Sequence, residues 1–141
     1  MKIIGLIGLG AMGGAYAKFL LEDNYIVYGI DPDENNANVF TSLGGEMLSN
    51  ISDLINKSEV IILSLPTVPI FKAVINEIEN NGAVIQSKIL IDMNTISLDD
   101  KLETRDKLQK LNIQMVDAPV SGTGAPVSYT HLTLPTKKRG G

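Results

Sequence analysis

The sequence predicts an α/β chain built on a doubly wound parallel sheet, and three features lead there. Short, almost wholly apolar runs such as "KIIGLIG" (Lys2–Gly8) and "EVIILSLP" (Glu59–Pro66) read as strands buried on both faces, as parallel strands are. These runs alternate with segments of helical periodicity, which implies right-handed βαβ crossovers. Glycine is plentiful (13 residues), aromatics are 5% and tryptophan is absent, a composition that suits an open α/β sheet better than an all-β sandwich. At 141 residues the chain has room for one domain with a real core.

Taken in order, Lys2–Gly8 is the first strand and Met12–Glu22 the first helix, with Met12, Ala15, Phe19 and Leu20 able to share its buried face. Tyr25–Asp31 is the second strand, stopped by Pro32, and a polar helix over Glu34–Leu43 closes on Gly44 and Gly45. A short strand falls at Glu46–Leu48, then a short helix at Ser52–Ser58 capped by Asn50 or Ser52. Glu59–Pro66 is a strand, Val68–Asn80 a helix, Ser87–Asn94 a strand, Leu98–Leu111 a charged helix and Ile113–Pro119 the last strand. No internal repeat interrupts this order.

The net charge of −4 opposes a nucleic-acid partner, because phosphate binding needs a basic face. That balance hides a basic end: residues 127–141 carry Lys137, Lys138 and Arg139 and no acid. The absence of cysteine rules out disulfides and thiolate metal sites, leaves no metal site in prospect and fits a reducing, cytoplasmic setting. No apolar run approaches the roughly 20 residues of a membrane span, so no membrane partner is expected.

"GLGAMG" places Gly8, Gly10 and Gly13 in the G-x-G-x-x-G pattern, after a buried strand and at the start of a helix. Gly8 permits the tight turn, Gly10 lets backbone N–H groups approach a pyrophosphate, and Gly13 lets the helix pack close to the strand. The helix N-terminus adds a partial positive charge toward the phosphates. Asp31 stands 23 positions after Gly8, at the end of the second strand, close to the roughly 20 expected of a ribose-binding acid. A carboxylate there accepts from ribose hydroxyls and repels a 2′-phosphate, which favours NAD over NADP. A plain Asp31–Pro32 turn is the competing reading.

In such a sheet ligands bind beyond the carboxyl ends of the strands. "SLPT" sets Leu65 and Pro66 at one end, as a wall for a nicotinamide ring or as an ordinary strand-ending proline. "DMNTIS" sets Asn94, Thr95 and Ser97 at the next, with Ser97 also suited to cap the following helix. "DAPVSGTG" brings Ser121, Gly122 and Thr123, whose hydroxyls and N–H groups suit an anionic carboxylate or merely a loop.

In this order and at this spacing, "GLGAMG", "LP", "IDMNTIS" and "DAPVSG" resemble the β-hydroxyacid dehydrogenases, the group that contains 3-hydroxyisobutyrate dehydrogenase and tartronate semialdehyde reductase. The resemblance covers residues 1–125 and implies a Rossmann-type NAD(P)-binding domain, followed in that family by a helical domain that completes the substrate pocket and the homo-oligomer interface. It implies that Gly8, Leu9, Gly10, Ala11, Met12 and Gly13 line the dinucleotide and that Asp31 takes the adenosine ribose. Leu65, Pro66 and Thr95 would lie at the nicotinamide end, and Ser121, Gly122 and Thr123 would hold the carboxylate of a small hydroxy-acid substrate. The family commonly has Ser or Thr where this chain has Asn94, and glycine where it has Thr123. Both departures bear on which substrate is held.

The family's proton acceptor is a lysine on a helix beyond this domain, and no residue here takes its place. Lys18, Lys57, Lys72 and Lys88 read as solvated charges, and Lys101, Lys107 and Lys110 as a charged helix face with Glu103 and Asp106. His131, the only histidine, falls in a segment that breaks with the family: "VSYTHLTLPT" (Val127–Thr136) matches one reading frame of a transposon-type sequencing adapter. Residues 126–141 are therefore expected to be a non-native tail, the family's helical domain to be absent, and the chain by itself to be inactive. An imine, glyoxylate or succinic semialdehyde reductase on the same scaffold, and a non-enzymatic NAD-binding module, are the competing functions.

Overall fold

The structure, a computed structural model, describes residues 2–119. Ser121, Gly122, Thr123 and the 126–141 segment with His131 lie outside the described residues. The strands are β1 (Ile3–Ile7), β2 (Ile26–Ile30), β3 (Glu46–Met47), β4 (Val60–Leu63), β5 (Lys88–Asp92) and β6 (Ile113–Asp117). The helices between them are α1 (Ala11–Glu22), α2 (Glu34–Ser42), α3 (Ile51–Lys57), α4 (Val68–Asn80) and α5 (Leu98–Gln109). All six strands pair in parallel in the order β3-β2-β1-β4-β5-β6. β1 is the pivot: Ile3–Ile7 pairs with Ile26–Ile30 on one side, and Ile4–Ile7 with Val60–Leu63 on the other.

The apolar runs are explained by two cores, one on each face of the sheet. Ile61 and Leu63 point to the face covered by α3, α4 and α5, with Leu54, Phe71, Ile78 and Leu108. Ile4, Leu6 and Ile62 point to the other face, with Ala17 of α1 and Phe40 of α2. A strand that feeds both cores has no solvent side, so the two-residue alternation of a half-exposed strand never develops. Asn50, rather than Ser52, caps α3 by accepting from the N–H of Asp53 at 2.8 Å. Ser97 caps α5 in the same way, accepting from the N–H of Asp100 at 3.1 Å.

The buried face of α1 differs from the expected one. Gly13 and Ala17 are its buried residues, Ala15 is exposed and Phe19 is 69% exposed. The reason is closeness: a Cβ on Gly13 would strike the carbonyl of Gly8, so the helix meets the sheet through its smallest residues. Of the larger expected residues, Leu20 does pack half-buried against this core, beside Tyr16 and Leu21, whereas Phe19 does not.

Lys88 also departs from its expected solvated state. It is buried, 7% exposed, with its ammonium donating to the carbonyl of Ser58 at 2.7 Å and toward that of Asn56 at 3.5 Å. Those carbonyls end α3, so the cation satisfies orphan acceptors at the negative end of the helix dipole. Lys88→Met is expected to lower unfolding free energy by about 1–2 kcal/mol, read from the denaturant midpoint at unchanged slope.

Candidate functional site

Strand order reverses between β1 and β4, and the loops that leave those strands form the crevice where such sheets bind ligands. The first loop turns at Gly8, whose φ is +98°, a value that side chains rarely adopt. Its N–H still donates to the carbonyl of Ile30 at 2.9 Å, and a Cβ there would strike the carbonyl of Ser64 beyond β4. Gly8 and Gly13 are thus required by packing. Gly10 is not: a Cβ added there meets nothing within 4 Å.

Gly10 is the N-cap of α1, makes no side-chain cap bond, and is followed by a first turn without an acid. Open space therefore lies at a helix N-terminus that has neither a side-chain cap nor an acid in its first turn, an arrangement that suits a pyrophosphate. Of the neighbouring residues, Ala11 is exposed and Met12 borders the cleft described below. The Leu9 side chain is 3% exposed and belongs to the core beside Phe40, so only its backbone belongs to the loop.

Asp31 joins this loop to α2. Its Oδ2 accepts from the N–H of Leu9 at 2.7 Å and from Nδ2 of Asn36 at 3.2 Å, while Oδ1 accepts from the N–H of Asp33 at 2.8 Å. The turn and the site are therefore one structure: the carboxylate that shapes the chain after β2 is also held against the glycine loop. Asp33 caps α2 by accepting from the N–H of Asn36 at 2.9 Å, and Glu34 occupies its first turn.

Between the loops that follow β4 and β5 opens a cleft of about 310 Å³, bordered by Met12, Leu65, Pro66, Asn94, Thr95 and Ile96. Asn94 holds its two sides together. Its Oδ1 accepts from the N–H of Leu65 at 3.2 Å, and its Nδ2 donates to the carbonyl of Leu65 at 2.6 Å. A larger hollow, about 640 Å³, lies by Ser87, Asn112 and Ile113, where β5 and β6 begin. That is the wrong end of the sheet for the glycine loop.

Beneath the cleft lies a charge cluster that the sequence reading missed. Lys101, expected on a solvated face, is 8% exposed. Its ammonium donates to the carbonyl of Asn94 at 2.7 Å, lies 2.8 Å from Oδ2 of Asp92 and closes tightly on Oδ1 of Asp117. Asp92 is fully buried, and its Oδ1 accepts from the N–H of Asn94 at 2.9 Å. Burial pushes the Asp92 carboxyl above its ordinary value, against the opposing pull of Lys101 and the Asn94 N–H. One signal was available in the sequence: Lys101, Thr104 and Leu108 are the buried positions of α5 and share one helical face. Among the described residues, no group of three or more His, Cys, Asp or Glu is placed to hold a metal ion. Nor is any helix among them long and apolar enough to cross a membrane.

A parallel doubly wound sheet, a glycine turn at its reversal point and an acid at the end of β2 define a dinucleotide-binding domain of the Rossmann type. Residues 3–135 match the family model for the NAD-binding domain of 6-phosphogluconate dehydrogenase, and the chain belongs to that family. It is 33% identical over 135 residues to 2-(hydroxymethyl)glutarate dehydrogenase of Eubacterium barkeri, covering 93% of this chain and 44% of that protein. To human mitochondrial 3-hydroxyisobutyrate dehydrogenase it is 35% identical over 140 residues, covering 93% of this chain and 39% of that one. Among solved structures, 3-hydroxyisobutyrate dehydrogenase of Mycobacterium tuberculosis with L-serine superposes at a TM-score of 0.79 and 26% identity, over 86% of this chain and 41% of that one. An imine reductase from Bacillus cereus shares the fold at a TM-score of 0.76 and 22% identity, over 91% of this chain and 43% of that one. The chain thus spans about two-fifths of the length of these relatives.

Proposed function

We propose that this chain is the cofactor-binding part of an NAD-dependent dehydrogenase that passes a hydride between the β-carbon of a small hydroxy acid and nicotinamide. The observation that carries this reading is the open, uncapped N-terminus of α1 at the point of strand reversal, with Asp31 bonded to the same loop. When bound, the nicotinamide supplies the hydride acceptor or donor. The chain's own residues hold and orient it: Gly8, Gly10 and Gly13 shape the phosphate cradle, Asp31 receives the adenosine ribose, and Leu65, Pro66 and Thr95 wall the ring. Ser121, Gly122 and Thr123 are assigned to the substrate carboxylate by the family motif. Lys88 and Lys101 have their ammonium groups committed to protein oxygens, so neither is assigned the substrate's proton.

NAD is preferred to NADP in this reading because Asp31, Asp33 and Glu34 gather negative charge where a 2′-phosphate would sit. Asp31→Ser is expected to weaken NAD binding about 10- to 100-fold, the worth of hydrogen bonds to a charged group, while weakening NADP far less. Isothermal titration with both cofactors checks this. Equal losses for the two would sink the assignment of Asp31 as the selecting residue, and no binding of either would sink the cofactor reading.

A further inference from the structure

The cluster under the cleft has a position that a purely structural ion pair does not need. Lys101 rises from α5, yet its three oxygen partners all belong to the ends of β5 and β6. Asp92 is the last residue of β5, Asn94 is in the turn after it, and Asp117 is the last residue of β6. The same turn is tied further: the N–H of Met93 donates to Leu63 at 3.0 Å and that of Ala118 to Asp92 at 2.9 Å. From Asn94 the linkage crosses to β4, because its amide bonds both the N–H and the carbonyl of Leu65. The amide thereby acts as a strand partner beyond Leu63 and Asp92, the last paired residues of β4 and β5.

A buried ion cluster is a poor means of gaining stability, since well-packed apolar residues of the same volume do as well or better. What it provides that leucine could not is direction. An ammonium with three oxygens around it holds one particular carbonyl, that of Asn94, at one particular place. We propose that Lys101 and Asn94 are positioning residues: Lys101 fixes the turn after β5 against Asp92 and Asp117, and the Asn94 amide passes that placement to the Leu65 peptide. Both walls of the cleft and the end of β6 then hold one mutual geometry. The inference rests on the reading of this cleft as the nicotinamide end of the site.

Two probes divide the site in half. ADP-ribose occupies the glycine loop and Asp31 without a nicotinamide, and NADH reports its ring by its own fluorescence. With the full 141-residue chain, Lys101→Met and Asn94→Ala are expected to bind ADP-ribose within about twofold of the parent. NADH affinity is expected to fall about tenfold, with loss of the emission enhancement that marks an ordered ring. A folded Lys101→Met chain with parental NADH emission and affinity overturns the proposal. So does a parallel loss of both ligands, which is what general loosening of the scaffold produces. If Lys101→Met does not fold, Asn94→Ala is judged alone by the same criteria. A parent chain that binds ADP-ribose but gives no NADH enhancement leaves the dinucleotide site standing and overturns the cleft assignment. A parent that binds neither removes the dinucleotide reading and this inference together.

Discussion

Gly10→Ala is expected to fold nearly as well as the parent and to bind NAD at least about tenfold more weakly, a loss of about 1.4 kcal/mol. Gly13→Ala is expected to lose about 1–3 kcal/mol of stability before any ligand is added. The two glycines lie three positions apart on one loop, and general propensity would rank the helical one as the better place for alanine. Their surroundings reverse that order. A Cβ on Gly10 enters open space, and its φ of −70° and ψ of −157° are available to any residue. The change costs only a weaker N-cap, under about 1 kcal/mol, while the new methyl occupies the approach to the N–H groups of α1. A Cβ on Gly13 strikes the Gly8 carbonyl, a backbone atom fixed by the Gly8 turn, so helix and strand must separate. Denaturant melts and NAD titrations of the two variants check the contrast. Equal melts with equal affinity losses would show that the loop tolerates bulk everywhere and that its glycines are not divided in this way.

Lys101→Met carries the largest expected stability effect, a loss of about 3 kcal/mol near neutral pH. The methionine leaves buried Asp92 facing Asp117 with no cation between them. Asp92 already lies above its ordinary value because of burial, and Lys101 is among the groups that restrain it, so the substitution raises it further. A carboxyl raised on folding favours its protonated form. Its stabilising contribution is complete below the unfolded value of 3.8 and is lost as pH rises through the folded value. The deficit of Lys101→Met is therefore expected to be greatest near neutrality and to shrink as pH falls toward 3.8. Asp100 runs the other way. Lys72 and Ser97 hold it below its ordinary value, so its contribution is present above 3.8 and lost as pH falls through the lowered value. That term is common to parent and variant and cancels in their difference. Adding Asp92→Leu to Lys101→Met is expected to recover part of the loss, since the isolated charge is then gone. Melts at several pH values, with a deficit that stays constant throughout, would refute the account.

Much of the architecture was legible in the sequence because it depends on short-range regularities. Apolar runs marked β1 and β4 as doubly buried, glycines and caps marked the helix ends, and the spacing from Gly8 to Asp31 marked the loop and its acid. Even β3, two residues long, was visible between Gly45 and the short helix after it. The failures share a cause. Phe19 reads as a core residue until the helix is seen to approach through Gly13 and Ala17. Lys88 stands at the polar start of an apolar strand and Lys101 among acids, yet their ammonium groups end against Ser58, Asp92 and Asp117.

The sequence by itself determined the parallel sheet, its crossovers, the glycine turn and the acid that follows β2, since each is encoded within a few dozen consecutive residues. Only the tertiary structure decided which glycine is empty space and which is contact. Likewise, it alone turned Lys101 inward and made Asn94 the link between β4 and β5. Whether a charge is solvated or buried is a property of the groups that surround it in space, and those groups come from strands that only the fold brings side by side.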